Sequence, residues 1–170
     1  MLFWLVASIV VLFGFVAFFG APYVPSKRRE LERVFEDVYH LGPHDTLVDI
    51  GSGDGVVLRV AAKKGLAHAI GYELNPALVI ISRLLSRKYK NIRIYTRNMW
   101  QVHFPSATTV VYVFAVSRDI EKIARKLQQE ANNVGHPLSV ISYGCRIPHM
   151  TALESLGAHH LYTFAPLHTK

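Results

Sequence analysis

The sequence predicts an α/β fold: a parallel, Rossmann-like sheet with helices on both faces. Three observations predict it. Apolar strand-like runs alternate with helical stripes over most of the chain, and such alternation implies a parallel sheet covered on both sides. The run Thr46 to Ile50 ends in glycines at 51, 53 and 55, and a helical stretch, Val56 to Lys64, follows at once. A second run, Ala67 to Tyr72, closes on an acid, Glu73. No internal repeat or low-complexity segment interrupts the pattern.

Taken in order, the chain opens with Leu2 to Val24, which holds no charged residue. As a helix it would extend about 34 Å, enough to cross a hydrocarbon core of about 30 Å. No Lys or Arg precedes it, it exceeds the length of a signal core, and Phe18 and Phe19 disfavour cleavage, so it reads as an uncleaved transmembrane anchor. Two units are therefore expected: the anchor, residues 1–24, and one domain, residues 25–170. Pro22 and Pro25 end the anchor. Lys27, Arg28 and Arg29 follow it, and the positive-inside rule places the domain on the cytoplasmic side or its equivalent, the mitochondrial matrix.

Ser26 is expected to cap a helix from Lys27 to Leu41, with the stripe Leu31, Val34, Phe35, Val38 and Leu41. Gly42-Pro43 stops it. After Glu73, Asn75-Pro76 starts a helix running to about Tyr89. Ile92 to Thr96 is the third strand, and Thr108 to Ala115 the fourth. Ser117 is expected to cap a helix with the stripe Ile120, Ile123, Ala124, Leu127 and Ala131. Leu138 to Tyr143 is the fifth strand, and two short strands flank Gly157.

The glycine spacing discriminates between ligands. Asp49-x-Gly51-x-Gly53-x-Gly55 matches neither the dinucleotide G-x-G-x-x-G nor a P-loop. Asp49 and Asp54 would repel a phosphate and tolerate a cationic, phosphate-free ligand, of which S-adenosylmethionine is one. An acid at the tip of strand two, here Glu73, can grip both hydroxyls of a ribose.

The net charge is +7, all of it beyond residue 24, and suits anionic lipid headgroups. The basic residues are otherwise scattered, without a nucleic-acid-binding signature, so nucleic acid is not expected as a partner. Cys145 is alone, which excludes an intrachain disulfide. The nine histidines form no metal-ligand pattern, and His159-His160 should point to opposite sheet faces.

The chain resembles the class I S-adenosylmethionine-dependent methyltransferases. More narrowly it resembles the membrane-anchored lysine methyltransferases of the ATP synthase c-subunit and the adenine nucleotide translocase. The residues that carry this are the apolar segment with Val24-Pro25-Ser26, Val48-Asp-Ile-Gly-Ser-Gly-Asp-Gly55, Ala61-Ala62, Gly71-Tyr-Glu-Leu-Asn-Pro76 and Asn98-Met-Trp100. The resemblance implies that Asp49, Gly51, Ser52, Gly53 and Gly55 line the methionine end of the cofactor. It implies that Glu73 takes the ribose hydroxyls, with Leu74 and Asn75 beside the adenosine. Position 98, usually an acid, is Asn98 here and would face the adenine amino group. After strand four, Phe114-Ala-Val-Ser117 lacks the Asn/Asp-Pro-Pro-Tyr of amide and nucleobase methyltransferases. The expected function is methylation of a lysine on a membrane protein. A methyltransferase of a lipid or quinone-like molecule, and a non-enzymatic cofactor-binding membrane protein, stand as alternatives. No catalytic residue and no metal site is singled out.

Overall fold

The computed structural model describes Trp4, residues 27–114 and residues 116–167. The expected anchor, Trp4 apart, and the expected Ser26 cap lie outside the described residues. Among the described residues no helix is long and apolar enough to cross a membrane.

Among these residues, seven strands form one sheet: β1 (Thr46–Ile50), β2 (His68–Glu73), β3 (Ile92–Thr96), β4 (Val110–Phe114), β5 (Leu138–Tyr143), β6 (Glu154–Leu156) and β7 (His159–Phe164). Their order is β3-β2-β1-β4-β5-β7-β6. The first five strands pair in parallel, and β7 runs antiparallel to both β5 and β6. The sheet is thus mixed, because the tight turn at Gly157 joins β6 and β7 as a hairpin with no crossover. The strand order reverses at β1, between β2 and β4, which opens a crevice above the carboxyl ends of these strands.

Helices cover both sides of the sheet. On one face lie α1 (Arg28–Arg33, continued by a π turn, Val34–Val38), α2 (Val56–Lys63) and α3 (Pro76–Ser86). Leu31, Phe35, Leu58 and Val79 from these helices join Leu47, Val110 and Tyr112 of the sheet in one cluster. The other face carries α4 (Ile120–Val134), whose Ile120, Ile123, Leu127 and Ala131 pack on Val48, Val111 and Val113. Successive residues of β1 and β4 alternate between the two clusters, as the pleat requires. Residues 97–109 hold turns and no helix, and Trp100 and Phe104 fill the second face beside α4.

Several helix ends differ from expectation; α3 stops at Ser86, short of Tyr89. The first helix stops at Val38, short of Leu41. Asp45 takes hydrogen bonds from Tyr39 Oη at 3.0 Å and from Gly42 N–H at 2.8 Å, which draws the chain into a loop. The N-cap of α1 is Lys27, without a side-chain cap. At α4 the turn from Val116 to Asp119 consumes Ser117, and Asp119 holds the N-cap position.

Candidate active site

The site is built at the carboxyl ends of β1 and β2. Every residue of β1 is buried, so the strand delivers Asp49 into a dry environment. Gly51, Gly53 and Gly55 all have positive φ, at 85°, 52° and 78°. At Gly55 a second constraint acts: a Cβ would lie 2.1 Å from Ser82 Oγ of α3. The loop is held from below by Gly51 N–H and Ser52 N–H, which donate to the Tyr72 carbonyl at 2.8 and 3.1 Å. Gly71 permits that approach, since a Cβ there would meet Ser52 Oγ at 2.6 Å.

Glu73 ties the two loops together. Its Oε2 accepts from Gly53 N–H at 2.9 Å and its Oε1 from Asn75 N–H at 2.8 Å. Asn75 in turn caps α3 by accepting from Ala77 N–H at 2.9 Å. Leu74 is exposed beside it. Asn98 stands two residues beyond Thr96, the register partner of Glu73. Its Oδ1 accepts from Trp100 N–H at 3.1 Å, so the side chain closes a turn. Asp49, Gly51, Ser52, Gly53, Gly55, Glu73, Leu74, Asn75 and Asn98 therefore lie at or just beyond the carboxyl ends of β1, β2 and β3.

Electrostatics single out Asp49. Its Oδ2 and the Ser52 Oγ are buried without a partner. Burial pushes the Asp49 carboxyl well above the usual range, and the charges of Glu73 and Asp54 push it further. Asp54 departs from the expectation that it opposes an anion freely. Arg59 forms an ion pair with it at 2.9 Å, which offsets part of its charge. Asp54 Oδ1 also accepts from Val56 N–H at 3.2 Å, which occupies the first amide of α2.

Level with the glycine loop runs a row of side chains that the sequence did not reveal. Ile50 pairs with Val113, so Gly51 stands level with Phe114; Phe114 pairs with Tyr143, and Tyr143 with His159. The Phe114 and Tyr143 rings lie 5.7 Å apart, and Tyr143 stacks on His159 at 4.4 Å. Tyr112 Oη lies 3.0 Å from His159 Nε2. Burial holds the His159 imidazole below its ordinary pKa, with the Glu30 carboxylate of α1 acting the other way. His160 points to the opposite side and meets Ser155 Oγ at 2.8 Å. These residues come together only through the strand order, and no spacing in the sequence marks them. Among the described residues no group of three or more His, Cys, Asp and Glu side chains could hold a metal.

Comparison with known proteins agrees with this architecture. The RNA methyltransferase from Salinibacter ruber, solved with S-adenosyl-L-homocysteine, superposes with a TM-score of 0.74 at 20% identity, over 84% of this chain and 94% of that one. The geranyl diphosphate C-methyltransferase from Streptomyces coelicolor A3(2) gives 0.52 at 22% identity, over 67% and 43%. These likenesses show the fold, that of the class I methyltransferases. Among curated proteins, the ATP synthase c-subunit lysine N-methyltransferase of Rattus norvegicus is 36% identical over 140 residues, 80% of this chain and 61% of that protein. The protein of that name from Homo sapiens is 34% identical, over 75% and 52%. The adenine nucleotide translocase lysine N-methyltransferase of Mus musculus is 33% identical, over 64% and 48%. The chain thus spans about half to three-fifths of the length of these relatives. The family model described as the ANTKMT methyltransferase domain matches residues 49–154, from the buried Asp49 to the first residue of β6, and the chain belongs to that family.

Proposed function

We propose that the protein is an S-adenosylmethionine-dependent protein-lysine N-methyltransferase acting on a membrane protein, and that residues 1–24 anchor it to the same membrane. The observation that carries this reading is Asp49. A buried carboxylate oxygen without a partner, under a glycine loop and with its ionisation suppressed, is a place made for a cation. The ammonium and sulfonium of S-adenosylmethionine fit that demand, and a phosphate does not. Glu73, pinned by two backbone amides, keeps lone pairs free for the ribose hydroxyls. Leu74 and Asn98 flank the place for the adenine. Asn98 retains an acceptor oxygen, already shared with Trp100 N–H.

When bound, the cofactor supplies a methyl group on a sulfonium. What the chain contributes is positioning and a dry path for the acceptor amine. Phe114 and Tyr143, both half-buried, form an uncharged aromatic wall level with the glycine loop, with neutral His159 buried behind Tyr143. Aromatic faces receive a lysine ammonium, and desolvation between them favours its loss of a proton to water. The relatives are named for a lysine of the ATP synthase c-subunit or of the adenine nucleotide translocase, and a lysine of that kind is the proposed acceptor. The Glu30 carboxylate of α1, in the segment that follows the proposed anchor, acts on the His159 imidazole through its charge. The orientation follows from Lys27, Arg28 and Arg29, with the domain on the cytoplasmic or matrix side.

The test is transfer of labelled methyl from S-adenosylmethionine into membranes of cells lacking this protein. Label on a lysine of an integral membrane protein supports the reading. Label in the lipid extract, or none at all with the cofactor bound, overturns it.

A further inference from the structure

Helix α3 is packed inside out. Its sheet-facing residues are Val79, Ser82 and Ser86, and the Oγ atoms of both serines are buried without partners. Its outward face carries Ile80, Ile81, Leu84 and Leu85, which are 58%, 45%, 62% and 51% exposed. Ser82 explains part of this. Its Oγ lies where a Gly55 Cβ would stand, so only a small residue lets α3 approach the glycine loop. That leaves the four large aliphatic residues facing out, uncovered by any described residue. Four such side chains within six residues form a ridge, which differs from the single exposed apolar residues of an ordinary surface.

The same face is strongly basic. From Leu74 to Arg118 the chain holds no acidic residue. Arg83, Arg87, Lys88, Lys90, Arg93 and Arg97 are all exposed, and none joins an ion pair among the described residues. Charges that look scattered along the sequence are gathered in space. Arg83, Arg87, Lys90 and Arg93 line one cavity of about 410 Å³ at the outer edge of the sheet, with Tyr89 and Tyr95. Arg83 donates from Nε and Nη2 to the Ile94 carbonyl, at 3.0 and 2.6 Å, so it blocks that edge of β3 from accepting a further strand.

We propose that the outward face of α3 and this basic cavity form a docking surface for a bilayer of anionic phospholipids. An apolar ridge beside unpaired cations is the pattern of a helix lying in a membrane interface, with headgroup phosphates on the cations and acyl chains against the ridge. A single strand of RNA would meet the cations equally well and could stack bases on Tyr89 and Tyr95, but it would leave the aliphatic ridge of Ile80, Ile81, Leu84 and Leu85 uncovered. Because α3 starts three residues after Glu73, a bilayer against it lies beside the mouth of the candidate site. The proposal rests on α3 and β3 alone and does not depend on methyl transfer.

The experiment uses the full chain reconstituted in vesicles, with Cys145→Ser and a bimane label on Leu84→Cys. A second protein carries the label on Ile80→Cys, and a control on Glu121→Cys of α4. Vesicles of phosphatidylcholine are compared with vesicles containing phosphatidylglycerol, each with brominated acyl chains. Quenching at 84 and 80 in the anionic vesicles is expected. It should be absent at 121, and lost in neutral vesicles and in the Arg87→Gln, Lys88→Gln, Lys90→Gln variant. Equal quenching in neutral vesicles overturns the role of the cations. Emission that reports burial without quenching means that protein, from this chain or another, covers the ridge, and it overturns the proposal. A response to an RNA oligonucleotide in place of lipid overturns it in favour of nucleic acid.

Discussion

The Glu73 carboxylate accepts the Gly53 N–H at 2.9 Å, across 20 residues of chain, and with its other oxygen accepts Asn75 N–H. Two donors therefore depend on one side chain, the one proposed to meet the ribose. Glu73→Gln can accept through only one of its terminal atoms and must turn an NH₂ group toward the other amide. The variant should be destabilised by about 1–3 kcal/mol, the usual cost of one unsatisfied donor. It should also bind S-adenosylmethionine more weakly. Thermal unfolding without cofactor measures the first effect and titration calorimetry the second. An unchanged melting temperature would show that the loop tie carries no stability.

If Asp49 faces the cofactor as proposed, binding should depend on pH. Its pKa is raised in the free protein, by burial first and then by Glu73 and Asp54, so the group holds a proton above the ordinary carboxylate range. A cation beside it favours the ionised form, and binding should release that proton. Affinity should weaken as pH falls through the raised pKa. The binding enthalpy should differ between buffers of different ionisation heat. The stability effect has the opposite sign. An acid whose folded pKa is raised costs stability once the unfolded chain ionises, so Asp49→Asn should raise the melting temperature of the cofactor-free protein at neutral pH while lowering its affinity.

Asn98 closes the turn to Trp100 through Oδ1. Asn98→Asp preserves that bond and adds an acceptor, so affinity for S-adenosylmethionine should hold or rise. Asn98→Leu leaves Trp100 N–H without its acceptor and, if Asn98 faces the adenine as proposed, the adenine amino group as well, and should weaken binding by about 1–3 kcal/mol. Calorimetry on the two variants checks both signs.

How far the sequence was legible follows from how local each feature is. The runs Ile92–Thr96 and Leu138–Tyr143 are strands with the expected bounds, because β-branched and apolar residues there are bracketed by turn formers. That Asp49, the glycines and Glu73 lie together is legible because they are separated by short spacing, and the structure joins the two loops through Glu73. The aromatic row was not, since Phe114, Tyr143 and His159 meet only through the order β1-β4-β5-β7. The orientation of α3 was hidden for another reason. Hydrophobic periodicity points Ile and Leu inward, and the close approach of Ser82 to Gly55 overrides it. The pairing of Asp54 with Arg59, five residues along the chain, likewise needed the geometry of the turn.

Glu130 couples stability to pH outside the glycine loop. It is fully buried, and its carboxylate accepts from Lys126 Nζ at 2.8 Å and Phe104 N–H at 2.7 Å. Burial alone would raise its pKa. The Lys126 and Phe104 hydrogen bonds and the Lys126 charge outweigh that and hold it below the ordinary value. A depressed carboxylate contributes stability above its unfolded pKa and loses it as pH falls through the folded one. The wild-type protein should therefore lose stability in acid. Glu130→Ala, which strands the Lys126 charge, should be destabilised by about 3–5 kcal/mol at pH 7 and show less of that acid dependence. Urea unfolding across pH reads both.

The proposed anchor has a kinetic consequence. Tethering an enzyme to the surface that holds its substrate acts as effective concentration and requires no new contact. The candidate pocket draws its residues from beyond position 45, so deletion of residues 1–24 should leave S-adenosylmethionine affinity nearly unchanged. Methylation of a membrane-embedded lysine should fall steeply, while a soluble lysine peptide should be methylated equally by both forms. Lys27 and Arg28 are paired with Glu30 and Glu32 at 3.3 and 3.0 Å, yet these are exposed pairs and leave the cluster available for orienting the span. Replacing Lys27, Arg28 and Arg29 by Gln should then reproduce part of the deletion through disturbed topology. One assay with both substrates on full-length and truncated protein decides the matter. Intact turnover of the membrane substrate after truncation would make the segment an address only. Loss of cofactor binding would make it part of the fold.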